Sequence, residues 1–392
     1  MQPRKELLDI LGEDVTSVIS RRKNAFSLLS KGKKGIVLFG AGNLGKKVSR
    51  VLRTLKEKPI CFSDSDPNLW GKRINGLDVF SPRQCADKYG KDAVFIVTIF
   101  NGSHKFADTR KLLFSLGCKC VVHSVGLFWR HPEYFLPYYY VDLPEKIIKD
   151  RDEVLACFDL LADEQSRREF LKQIYYHLHL RLEGLTSPRG SSYFSKSIVS
   201  FLGNEIFADC GAFDGDTIRD FLQQRRKSFN KIIAIEPDRI SFGKLKAYVC
   251  SLSGDLKQKI ALYNCALGEH RGRFSFNCTG TTSSALGGSK NKVKCLSLRD
   301  LLKIEGVAAS YVKMDIEGQE KNQLLSIKGI ISRFCPVLAV CLDHNQEDIY
   351  KIPLLVKSLN SDYLFFLRRH EQECFQTVLY AVPKNRLKGR IA

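Results

Sequence analysis

The sequence predicts an α/β fold of two domains, each a mostly parallel sheet with helices on both faces, joined by a helical connector. Three observations predict it. Short apolar runs recur with helical-period segments between them, the pattern of strands joined by crossover helices. A glycine-rich turn follows an apolar run twice, at Gly40-Ala41-Gly42-Asn43-Leu44-Gly45 and at Gly211-Ala212-Phe213-Asp214-Gly215. A stretch of helical periodicity separates the two turns, so each half reads as its own Rossmann-like domain. The chain has 392 residues, and two domains are expected at roughly 100–200 residues each.

The elements follow in order. Residues 1–29 read as an N-terminal helical segment, with Leu7, Leu8, Ile10, Leu11, Val15, Val18 and Ile19 at helical spacing. The first domain spans 30–126. Its strands are Gly35 to Phe39, Pro59 to Ser63, Ala93 to Ile99 and Cys118 to His123, with a helix over Lys46 to Leu55. The connector spans 127–196. Pro137, Tyr138-Tyr139-Tyr140 and Pro144 mark an irregular crossing. Residues 151–182 then read as one long helix, with Leu155, Phe158, Leu161, Phe170, Ile174 and Leu178 on one face. His177 and His179 are two apart, point to different faces, and read as structural. The second domain spans 197–392, with strands at Glu205 to Cys210, Ile232 to Glu236, Ile260 to Cys265, Tyr311 to Asp315, Val337 to Cys341, Tyr363 to Arg368 and Thr377 to Val382.

Composition narrows the function classes. No stretch of 18 apolar residues occurs, and the first residues, Met1 to Asp9, lack an apolar core. A membrane span and a secretory signal are both disfavoured, and a cytoplasmic protein is expected. The 13 cysteines are odd in number and lack a CxxC, against a disulfide framework or a zinc site. Lys and Arg number 62 against 42 Asp and Glu, a net charge of +20. That excess favours anionic partners, but it is dispersed in short runs such as Arg21-Arg22-Lys23 and Arg225-Arg226-Lys227, which solvated helix faces explain.

The chemistry-bearing residues fall at the carboxyl ends of the second domain's strands, where open α/β sheets bind ligands. First comes Asp209-Cys210-Gly211-Ala212-Phe213-Asp214-Gly215-Asp216-Thr217. Gly211 and Gly215 would let the backbone approach a ligand, because no Cβ intervenes. Asp209, Asp214 and Asp216 are acidic, which suits a cationic ligand better than a phosphate. S-adenosylmethionine, with its sulfonium and ammonium, fits such a loop better than NAD or ATP. Glu236, followed by Pro237, ends the second strand, where an acidic side chain binds a ribose diol. Cys265-Ala266 ends the third strand, placed to bracket an adenine. Asp315-Ile316-Glu317-Gly318-Gln319-Glu320 ends the fourth, with three carboxylates around the reacting position.

Together Asp209 to Asp216, Ile235-Glu236-Pro237-Asp238, Ala266-Leu267-Gly268 and Lys313-Met314-Asp315-Ile316-Glu317-Gly318 resemble the FkbM family of methyltransferases. The tail is similar too, from Val337 through His344, His370 and Thr377 to Pro383. The resemblance covers about 155–385. It implies S-adenosylmethionine-dependent O-methylation of a hydroxyl on a sugar, polysaccharide or related natural product. The chain departs from the family's pattern at Leu342-Asp343-His344, where an aromatic usually stands before the His, and at Gln319, where a small residue is common.

A sugar hydroxyl is a weak acid, so a positioned base is useful, at about 10²–10⁴-fold in rate. Candidate bases are Asp315, Glu317, His344 and His370. A magnesium ion on Asp315 with Glu317 or Glu320 is a candidate, since carboxylates are hard oxygen ligands, although no spacing requires a metal. In the first domain, Gly40, Gly42, Gly45 and Asp64 satisfy the context of a dinucleotide fingerprint. Candidate ligands there are NAD or a nucleotide-sugar; the alternative is a scaffold that supports a homodimer. The acceptor is expected to be a small molecule or glycan. Two competing readings are a nucleic-acid methyltransferase, prompted by the net charge, and a nucleotide-sensing module without enzymatic activity. Three carboxylates in the Asp315 loop would repel a phosphate backbone, and the four motif positions keep functional residue types.

Overall fold

In the computed structural model, residues 3–388 are described, apart from 30, 58, 183, 186–192, 226–227, 278–284 and 287–291. The first sheet has six strands: β1 (Gly35–Phe39), β2 (Pro59–Ser63), β3 (Arg73–Ile74), β4 (Leu77–Phe80), β5 (Ala93–Val97) and β6 (Val121–His123), in the order β3-β4-β2-β1-β5-β6. Only β3 runs antiparallel. The second domain holds β7 (Ile206–Cys210), β8 (Lys231–Ile235), β9 (Ile260–Tyr263), β10 (Ala266–Leu267), β11 (Gly272–Asn277), β12 (Ala285–Leu286), β13 (Lys292–Leu296), β14 (Tyr311–Met314), β15 (Val337–Cys341), β16 (Tyr363–Arg369) and β17 (Thr377–Pro383). Its main sheet is ordered β16-β17-β15-β14-β7-β8-β9, with β17 antiparallel to both neighbours. A four-stranded sheet of β10-β13-β11-β12 lies beside it.

The central strands are apolar throughout because both faces of each sheet are covered. Around the second sheet, Phe207, Ile232, Tyr311 and Tyr380 pack with Ile218, Phe221 and Leu245 of two helices, Asp216–Arg225 and Arg239–Ser251. The opposite face takes Ala208, Ile233, Val312 and Val340, and the connector covers it.

The connector is therefore a layer of the second domain, which sequence periodicity did not indicate. Its expected long helix is two, Arg151–Leu160 and Glu164–His179. Between them Leu161 bridges to Phe365 of β16, and the Ala162 amide donates to the Phe365 carbonyl at 2.8 Å. Asp163 then caps the second helix by accepting from the Ser166 amide at 2.8 Å. Leu180, at φ 55°, ends it.

The N-terminal segment also departs from one continuous helix. It breaks into Pro3–Leu11 and Val15–Leu29, where Asp14 accepts from the Ser17 amide at 2.9 Å. Leu7, Ile10, Leu11 and Val18 bury against the connector and the second sheet, while Phe26 joins the first domain's core. The strands β3, β4 and β10–β13 were not anticipated, because short or solvent-facing strands give little apolar patterning. The expected strand 118–123 starts only at Val121, since the Cys118 amide closes the preceding helix on Leu113 O at 3.0 Å.

Candidate active site

The glycine-rich turn after β7 is held from two sides. Gly211 has φ +84°, and a Cβ there would lie 2.0 Å from the Asp315 carbonyl oxygen. Gly215 has φ +91°, with its Cβ position 3.0 Å from Tyr248 Cδ1. At Gly211 the missing Cβ lets the ends of β7 and β14 close on one another, and at Gly215 it makes room for Tyr248 and Leu245 of the helix Arg239–Ser251. Glu236, at the end of β8, accepts from the Phe213 amide at 2.8 Å and the Asp238 amide at 2.7 Å. Each oxygen keeps a lone pair. Burial pushes Glu236 up to about 7. Asn264 braces this strand end by donating to the carbonyls of Glu236 and Pro237 at 2.9 and 3.2 Å.

Asp209 does not line the turn. It is fully buried, 3.3 Å from the ammonium of Lys313. Burial lifts it to about 7 despite that ammonium. Lys313 also donates to the Gly211 carbonyl and lies 5.0 Å over the Tyr193 ring. The acidic character left at the turn comes from Asp214, which is paired with Arg219, and from the exposed Asp216 at the start of its helix. Thr217 is buried behind it. Cys265 and Ala266 are each 2% exposed, so their side chains belong to the core and cannot bracket a ring.

Five ionisable side chains converge after β14 and β15, in two layers. Asp315 and Glu317 keep 24% and 23% of their side-chain surface. Behind them lie His344 at 7%, Glu320 at 1% and Asp343 at 9%. The His344 ring stands 3.0 Å from Glu320, 3.4 Å from Asp315, 3.8 Å from Asp343 and 3.9 Å from Glu317. Burial opposes its charge, but Glu320, Asp343 and Asp315 outweigh it and raise His344 well above ordinary imidazole. His344 is thus held among the carboxylates as a cation. Burial pushes Asp315 up as well, yet Lys313, His344 and the Tyr193 hydroxyl hold it below the usual carboxylate range. Tyr193 donates to it at 2.7 Å. Glu317, at φ +53°, is pushed up to about 8 by burial, with Asp315 and Asp343 adding to the effect of burial and His344 opposing it. One accessible carboxyl is therefore ionised and its neighbour is protonated near neutral pH.

His370 is not part of this cluster. Its Nε2 shares a 3.0 Å hydrogen bond with the Tyr380 hydroxyl, and burial beside Arg368 and Arg369 lowers it to about 4. The carboxylates considered for magnesium, Asp315, Glu317 and Glu320, surround the His344 ring, and Glu320 Oε1 already accepts from the Ile316 amide at 2.8 Å. Among the described residues no group of three or more His, Cys, Asp or Glu could hold a metal. Tyr193 and Gln376, whose Nε2 lies 3.5 Å from Asp315, were missed. Neither sits in a local motif; tertiary structure alone brings them there.

The first domain repeats the device seen at Glu236. Asp64 accepts from the Ala41 amide at 2.7 Å and the Asp66 amide at 2.9 Å. Gly40, at φ +108°, and Gly45, whose Cβ position is 2.0 Å from Gly40 O, close the turn, whereas the Cβ direction of Gly42 is open.

One solved structure matches across both domains: the methyltransferase FkbM from Methylobacillus flagellatus KT, at TM-score 0.76 and 20% identity, covering 97% of this chain and 99% of that one. The chain has the FkbM methyltransferase fold. Partial matches include UDP-D-quinovosamine 4-dehydrogenase from Vibrio fischeri, at 24% identity and TM-score 0.20 over 23% of this chain and 77% of that one. Another is a putative rRNA methylase from Clostridium thermocellum, at 8% identity and TM-score 0.31 over 47% of this chain and 88% of that one. No family model matches the sequence, and no curated protein matches it. No helix among the described residues is long and apolar enough to cross a membrane.

Proposed function

We propose that the chain is an S-adenosylmethionine-dependent O-methyltransferase acting on a hydroxyl of a sugar, polysaccharide or related natural product. The observation that carries this reading is the pair Asp315 and Glu317. They are two partly exposed carboxyls at one strand end, set to opposite protonation states by burial at Glu317 and by Lys313, His344 and Tyr193 around Asp315.

The residues present suit the cofactor. Lys313 pairs with the buried Asp209 and its charge also reaches Asp315 and Glu236, so the carboxylates this edge exposes to a cation are Asp216 and Asp315. Glu236 has lone pairs for ribose hydroxyls, and Phe213 and Pro237 flank it. When bound, the cofactor supplies a methyl carbon activated by sulfonium. The chain does the rest. Asp315 accepts a hydrogen bond from the acceptor hydroxyl and orients it. Glu317, titrating near 8, is matched to working pH and takes the hydroxyl proton. His344 and Glu320 hold both carboxyls in place without touching the acceptor.

Calorimetry with S-adenosylmethionine should show binding that Glu236→Ala weakens at least tenfold; unchanged affinity removes the site assignment. A labelled-methyl assay against monosaccharides, polysaccharides and RNA then decides the acceptor, and transfer to RNA alone overturns this reading.

A further inference from the structure

The carboxyl edges of the two sheets face one another across a single loop. Residues 370–376 join β16 to β17, on the same edge as the ends of β7, β8, β14 and β15. From there the loop reaches the first domain. Gln372 donates its amide to the Gly102 carbonyl at 3.0 Å. Glu373 lies 3.4 Å from His123, the last residue of β6, and accepts from the Tyr140 hydroxyl at 3.1 Å. The Phe375 ring sits 4.9 Å from Phe100, 5.0 Å from Tyr140 and 6.2 Å from Tyr139. The next residue, Gln376, donates its amide to Asp343 at 2.7 Å and reaches Asp315. One step along the chain thus separates an aromatic cluster of the first domain from the reacting carboxylates of the second.

We propose that the acceptor is an unphosphorylated hexose bound between the two edges, with its ring against Phe100, Tyr139 and Phe375 and its reacting hydroxyl at Asp315 and Glu317. This rests on the methyltransferase reading and names its substrate class. Three observations carry it. Phe100, Tyr139 and Phe375 are partly exposed although they pack on a core, so apolar ring surface is left at a domain boundary, where ligand sites form. Non-glycine residues in the left-handed region concentrate around this boundary: Tyr139, Phe213, Glu317, Glu373 and Gln376, at φ of 46–54°. Such conformations persist where the surroundings enforce them, commonly at ligand sites. Three partly exposed carboxyls stand at this edge, Asp315, Glu317 and Glu371, while the nearby ammonium of Lys47 is engaged over the Phe135 and Tyr138 rings. A pyranose offers apolar C–H faces to the rings and hydroxyl donors to the carboxyls. A nucleotide offers a ring as well, but its phosphates would meet like charge.

The test is saturation-transfer NMR on the full chain with S-adenosylhomocysteine present, using the methyl glycosides of glucose, galactose, mannose and rhamnose, with UDP-glucose as the phosphorylated arm. At least one methyl glycoside should bind. Phe375→Leu and Tyr139→Leu should each weaken it at least tenfold while leaving S-adenosylhomocysteine affinity within twofold, and Phe375→Trp should restore most of the loss. Glycoside binding that survives both leucine variants overturns the site, as does preferential binding of UDP-glucose. A chain that binds S-adenosylmethionine but no methyl glycoside overturns this inference and leaves the methyltransferase reading standing. A chain that binds a glycoside but no S-adenosylmethionine overturns the methyltransferase reading and this inference with it.

Discussion

Glu317 and His344 show how burial sorts similar residues into different roles. Both lie at strand ends, and both were candidate bases. His344 has four carboxylates within 4 Å and is fixed as a cation; Glu317 is lifted to about 8 and can exchange a proton at working pH. Activity should therefore rise with pH through about 8 as Glu317 ionises. A pH profile of kcat/KM for the wild type and for Glu317→Gln checks this: the limb near 8 should vanish in the variant, along with about 10²–10⁴-fold of the rate. Stability should move the other way. Asp209 and Glu236 sit at about 7 and Glu317 at about 8, all above their unfolded values. The folded state therefore favours their protons. Their contribution is complete below about pH 4 and is lost as pH rises through 7–8. The Tm of the cofactor-free protein, followed by calorimetry from pH 6 to 9, should fall, and Glu317→Gln should flatten the upper part of that fall.

At the scale of elements, the site depends on two strand ends meeting. β7 and β14 are parallel neighbours, and the Gly211 turn passes so close to Asp315 O that a Cβ would lie 2.0 Å from it. The clash is with backbone, so neither partner can swing away. Gly211→Ala should cost about 2–4 kcal/mol, combining left-handed strain with overpacking. It should also weaken S-adenosylmethionine binding more than that loss of stability explains, because Glu236 and Asp315 hang on the displaced ends. Denaturant melts beside calorimetric titrations separate the two effects. The sequence marked these strand ends well, since an apolar run, a glycine turn and an acidic residue are adjacent in the chain. The packing of Gly211 on the Asp315 carbonyl was not legible there, because the partner backbone lies far along the sequence.

For the whole molecule, the helices at the N-terminus act as a staple. Leu7, Ile10, Leu11 and Val18 bury on the second domain's side, and Phe26 buries in the first. At about 1.5–3 kcal/mol for each buried side chain, the first four contribute on the order of 6–12 kcal/mol. That is comparable with the whole stability of a domain, about 5–15 kcal/mol. Deleting residues 1–29 should therefore lower the Tm sharply and expose apolar surface to a hydrophobic dye, whereas a segment that merely decorates the fold would leave both unchanged. The same view explains the first domain. Gly102, His123 and Tyr140 grip the loop that carries Gln376 to Asp315, so the first domain helps to fix that loop.

The sequence by itself determined the fold class, the strand ends and the acidic turn, because each is written in neighbouring residues: apolar period, glycine, carboxylate. It placed Glu236, Asp315 and Glu317 at the correct edge. Tertiary structure alone decided which carboxyl is ionised, since that depends on Lys313, Tyr193 and His344 converging from three separate elements. It also decided that Asp209 is an internal counter-ion and that His370 belongs to Tyr380. Burial and long-range proximity set those outcomes, and neither leaves a local pattern in the chain.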